Sequence, residues 1–144
     1  MSNGSLASFT ADLNRFAKTI DSNVELVLKR VALQVLRGVV QKTPVDTGRA
    51  MASWLVGVNK VPADSEAPGD LSNAPLSAEA ASRIALEGSV EIQQASEYSV
   101  IYIINPLPYI FRLENGHSGQ APNGMVAVTL GEVEADLVRV LRSI

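Results

Sequence analysis

Apolar residues recur every three or four positions through most of the first 42 residues, the period of a helix buried along one face. Leu6, Phe9, Leu13, Phe16 and Ile20 make one stripe, and Val24, Val27, Leu28, Val31, Val35 and Val39 make a second. Asp21-Ser22-Asn23, three residue types that favour helix ends, divides the two. The second helix sets Glu25, Lys29, Arg30, Gln34, Arg37 and Gln41 on its polar face. Leu26, Leu33 and Val40 widen its apolar arc, so it is expected to pack on two sides. In so short a chain a neighbouring subunit is a candidate for the second side.

Thr43-Pro44 ends this helix, because proline disfavours the helical conformation in the residue before it. Val45 to Arg49 then reads as a turn, with Asp46 bonding nearby backbone N–H groups and Gly48 supplying a positive φ. Between Ala50 and Val58 the alternation of Trp54, Val56 and Val58 with Leu55, Gly57 and Asn59 is that of a strand. Residues 61–76 hold three prolines, one glycine and three acidic residues and are expected to form a mobile loop; residues 1–5 are expected to be flexible. Ser77 caps a helix that runs through Ile84 and Leu86, while the pattern from Gly88 to Ser96 fits no single element.

Ser99 to Asn105 is the clearest strand, apolar on both faces and so expected to be central or covered by an interface. Asn105-Pro106-Leu107-Pro108 breaks it, and Tyr109 to Asn115 makes a helical turn stopped by Gly116. After a loop from Gly119 to Gly124, Met125 to Ile144 forms a C-terminal helix. Val126, Leu130, Val133, Leu137, Val140 and Leu141 are expected inward, and Glu132, Glu134 and Asp136 outward. The expected fold is α+β: a single domain in which a long N-terminal helix and a C-terminal helix pack on a small, mostly antiparallel sheet.

Charge adds an asymmetry. Residues 1–60 carry eight Lys/Arg against four Asp/Glu, and residues 61–144 carry four against eleven, within a net charge of −3. A basic side of one subunit meeting an acidic side of the next would suit this distribution, as would a merely solvated surface. The longest apolar run, Val100 to Ile104, is far short of a membrane span. Met1 to Ala7 lacks the basic and apolar regions of a secretory signal, so synthesis in the cytoplasm is expected.

Candidate chemistry is sparse. With no cysteine there is no thiol nucleophile or thiolate ligand, and the single histidine, His117, cannot make a metal cage. Asp64, Glu66 and Asp70 lack the spacing of a calcium loop. Gly116, Gly119 and Gly124 match neither nucleotide fingerprint. Ser118 beside His117 suggests a small hydrolase, but adjacent residues rarely meet the geometry of a catalytic triad, and no Gly-x-Ser-x-Gly elbow is present. A DNA contact through Lys29, Arg30 and Arg37 is a further alternative, weakened because these residues are spread along a helix. The chain is therefore expected to have no catalytic residue, no cofactor and no metal.

Two segments carry a resemblance. One is Thr43-Pro44-Val45-Asp46-Thr47-Gly48-Arg49-Ala50 followed by Ser53-Trp54. The other runs from Asn105 through Pro108-Tyr109, Leu113-Glu114, Gly116-His117-Ser118, Gln120-Ala121-Pro122 and Gly124-Met125-Val126. Together, and in this order, they resemble the tail-completion and neck proteins of tailed phages and prophages, over roughly residues 20 to 140. Ser118-Gly119-Gln120 departs from that pattern, where a basic residue often precedes the glutamine. The resemblance implies a non-enzymatic virion subunit at the head–tail joint, assembling in the host cytoplasm as a homo-oligomeric ring, a hexamer if matched to tail symmetry. Its partners would be other connector and tail proteins, with DNA only passing through the lumen, and neither a membrane nor a small-molecule substrate. A tail terminator or minor tail protein is the alternative within the same class. Arg49, Glu114, His117 and Gln120 are the candidate subunit contacts. Asp46, Gly48, Trp54, Tyr109, Gly116, Pro122 and Gly124 are the candidate structural positions.

Overall fold

The computed structural model describes residues 6–20, 24–43, 53–63, 77–108, 110–116, 119 and 123–143, with backbone alone at 16–20, 24, 77–81 and 140–143. Its elements follow the expected order: α1 (Leu6–Ile20), α2 (Val24–Lys42), β1 (Leu55–Val58), α3 (Ser77–Ile92), β2 (Ile101–Ile104), α4 (Ile110–Glu114) and α5 (Val126–Ser143). The fold class is α+β, with five helices and one two-stranded antiparallel sheet among the described residues.

α2 is the middle of the molecule. It packs against α3 on one side and α5 on the other, while α1 lies on α5 and α3 lies on β1. Two sides of the broad apolar arc of α2 are thus covered within the chain, while Leu26 stays 61% exposed. Toward α3, the residues Ala32, Leu36, Val39 and Val40 meet Ile84 and Ile92, together with Trp54 and Met125. Toward α5 and α1, Val27 and Val31 meet Phe9, Val133 and Leu137. Val35 packs against both clusters and joins them into one core. Side chains buried to this degree each contribute about 1.5–3 kcal/mol.

Two glycines set the helix spacing. A Cβ on Gly38 would overlap the Thr129 side chain of α5, and one on Gly88 would overlap Leu36. Gly88 therefore continues α3 to Ile92 where the sequence pattern gave no single reading. A residue that weakens an isolated helix is retained because two backbones approach closely there.

The sheet is smaller than expected. β1 begins at Leu55, not Ala50; Ser53 and Trp54 precede it as buried turn and coil, and 44–52 lie outside the described residues. Leu55 faces Ile104 and Val58 faces Ile101. Among the described residues β2 pairs with β1 alone and is half-buried throughout, so it lies at the edge of the described sheet. Asn59 closes the pair: at φ 63° its N–H donates to the Val100 carbonyl (2.7 Å) and its Oδ1 accepts from the Val100 N–H (2.9 Å). Asparagine tolerates that left-handed backbone better than most residues.

Two burial assignments are reversed. Glu134, expected outward, is 1% exposed against α1, where the Ser8 hydroxyl donates to its Oε1. Val126, expected inward, lies on the surface.

Candidate functional site

The two segments that carry the resemblance are each closed at the base by buried or half-buried hydrogen bonds between residues eleven apart. In the first, the Trp54 indole Nε1–H donates to Thr43 Oγ1 (2.7 Å), which itself donates to the Val39 carbonyl one turn back in α2 (2.5 Å). Thr43 and Trp54 are both buried, so the end of α2 and the approach to β1 are fixed together. A buried indole N–H needs a partner, and a threonine at a helix end has a hydroxyl free of the helix ladder to provide one.

The second closure starts from a deficiency. α5 opens with Val126-Ala127-Val128, has no acidic residue in its first turn, and is preceded by Met125, which offers no oxygen as a cap. Its first N–H groups would be unsatisfied. The Glu114 carboxylate, at the end of α4, supplies the acceptors. Oε1 accepts from the Met125 N–H (2.7 Å) and the Val126 N–H (2.8 Å), and Oε2 from the Ala127 N–H (3.0 Å). A negative charge at the positive end of a helix dipole adds to these bonds. Gly124 makes the approach possible: at φ 86°, a Cβ there would overlap the Glu114 carbonyl and crowd its carboxylate. Gly116, at φ 84°, turns the chain out of α4.

Trp54 and Met125 belong to the same core cluster, with Leu113 packed against it. Both closures are therefore anchored in one body of apolar side chains. Of the candidate contacts, Glu114 has its carboxylate bound within the chain, a role that residue-by-residue reading missed. The signal lay elsewhere, in a C-terminal helix with no local cap. Arg49, His117 and Gln120 lie outside the described residues, as do Asp46, Gly48, Tyr109, Ser118, Pro122, residues 64–76 and residues 1–5.

A pair of carboxyls lies where α1 meets α5. Asp12 is held above the ordinary carboxylate value, chiefly by a hydrogen bond with the Glu134 side chain and then by burial. Arg15, 2.5 Å from Asp12, pulls the other way, and the Glu134 charge raises it further. The second carboxyl and burial favour the protonated form of Asp12, with Arg15 opposing them. Elsewhere ion pairs link helices directly, as between Lys42 of α2 and Glu132 of α5 (2.5 Å).

Among the described residues, no three of His, Cys, Asp and Glu stand close enough to hold a metal, and no helix is long and apolar enough to cross a membrane. No family model, no curated protein and no solved structure matches the chain.

Proposed function

We propose that this chain is a structural subunit of a tailed phage particle that acts, as a ring of identical copies, where the head meets the tail. The observation that carries the reading is the pair of motifs in their order along the chain. The 43–54 segment and the 105–126 segment resemble the neck and tail-completion pattern, and hydrogen bonds between residues 43 and 54 and between 114 and 125 tie both to a common core. A body braced at both motifs suits a part whose job is geometric: one subunit contact repeats until its rotation closes. A hexamer matched to tail symmetry is the proposed ring. Tail terminator and minor tail protein are the nearest alternatives. The hydrolase alternative rests on Ser118 and His117, which lie outside the described residues.

Electron microscopy of particles from a phage with an early stop codon in this gene tests the proposal. Filled heads beside separate, otherwise complete tails support it. Normal infectious particles overturn it. Within the ring, Arg49 is the candidate contact best suited to grip a carboxylate through two parallel hydrogen bonds. Arg49→Glu is expected to lower the mass of the assembly while circular dichroism of the subunit stays that of wild type.

A further inference from the structure

Two of the exposed helix faces among the described residues differ in character. On α2, between the sides that hold α3 and α5, lies a stripe of Leu26, Arg30, Arg37 and Gln41, all exposed, with Leu26 at 61%. Neither Arg30 nor Arg37 makes an ion pair among the described residues. On α3, Ile84, Gly88 and Ile92 turn inward, so Leu86 and Val90 point away from the body at 67% and 61% exposure. Glu87 and Glu91 flank them, Glu97 follows the helix, and Arg83 precedes them as the one cation on this face among the described residues. None of the three glutamates has an ion partner among the described residues.

One face carries Leu26 and two arginines, and the other carries Leu86, Val90 and three carboxylates, with no ion pair to these charges among the described residues. Each repels a copy of itself and complements the other. The complementarity disfavours a contact in which the same patch meets itself. It suits a heterologous contact, the α2 stripe of one molecule on the α3 face of the next, which would repeat into a ring or a filament. Paired exposed leucine and valine on one helix give such a contact an apolar centre, and the charges give it register.

We infer that the α3 face docks the α2 stripe of a second copy of this chain, with Arg30 and Arg37 set against Glu87, Glu91 and Glu97 around Leu86 and Val90. This rests on the ring reading proposed above and names the surfaces that build the ring.

Sedimentation of the purified full chain over a concentration series tests it with two variants. Arg30→Glu/Arg37→Glu removes the basic stripe, and Leu86→Asp/Val90→Asp removes the apolar centre. All four positions are exposed, so circular dichroism is expected to match wild type. Wild type is expected to associate, less so as salt rises, and each variant alone to run at the 15.3 kDa of the monomer. An equal mixture of the two has one intact basic stripe and one intact acidic face, so it is expected to stop at a dimer. Wild-type association that neither variant disturbs overturns the surfaces and leaves the ring reading standing. A wild type monomeric at every concentration also overturns the inference, as does salt-sensitive retention of DNA by a monomer that Arg30→Glu/Arg37→Glu abolishes. The phage stop-codon result is independent of all these outcomes.

Discussion

Glu114 stands in for a capping residue that the C-terminal helix does not have. Replacing it with alanine strips three backbone N–H groups of their acceptor, and a loss of about 2 kcal/mol is expected in denaturant unfolding. Glu114→Gln keeps an acceptor oxygen but not the charge, and is expected to lose about half as much. Asp12 behaves in the opposite sense. Its proton leaves the unfolded chain near the ordinary 3.8 and leaves the folded chain only at higher pH. The stability tied to that proton is therefore complete below 3.8 and falls as pH rises through the folded value. Asp12→Asn holds a donor toward Glu134 at any pH. Its melting temperature is expected to exceed wild type by about 2–4 °C at neutral pH, with the gain gone in acid below the ordinary carboxylate value. Glu134 itself was legible by spacing, since it continues the Leu130–Leu137 stripe at helical intervals; its charge argued outward and the period argued inward. Thr129 is buried with its hydroxyl unpaired among the described residues, and Thr129→Val is expected to stabilise the fold by about 1 kcal/mol.

At the scale of elements, the helices were readable because their stripes are long and regular, and each needs only its own residues to be seen. The strands were overextended because alternation over a few residues does not say where pairing stops; pairing partners decide that, and β1 holds only four. A helix glycine misled for a related reason. Gly88 looks like an interruption in one dimension, while in three it is where α3 meets α2, as Gly38 is where α2 meets α5. Gly38→Ala is expected to lose about 1–3 kcal/mol by forcing the Thr129 side chain against its own helix. Adding Thr129→Ala is expected to recover part of that loss, a coupling that a double-mutant cycle reads directly. The caps show the same limit: a cap three residues away is visible in sequence, and one eleven residues away is not.

For the whole molecule, the charge asymmetry between the two halves of the sequence becomes partly a matter of packing. Lys42 of the first half is spent on Glu132 of the second, and Lys29 lies beside Glu25 on its own helix. Arg30 and Arg37 make no ion pair among the described residues. Both packed sides of α2 are met within the chain; sequence shows how wide an apolar arc is and not which helices reach it. The closure at Glu114 bears on what this scaffold can tolerate. A carboxylate and a helix end hold together the two ends of the 114–125 segment, and this closure uses none of the side chains between them. Lengthening a held loop adds little, about 0.6 kcal/mol for each doubling. The segment is thus a socket: foreign peptides grafted between Gly116 and Gly124 should be displayed by a chain that still melts as one unit, and a graft that also replaces Glu114 should not.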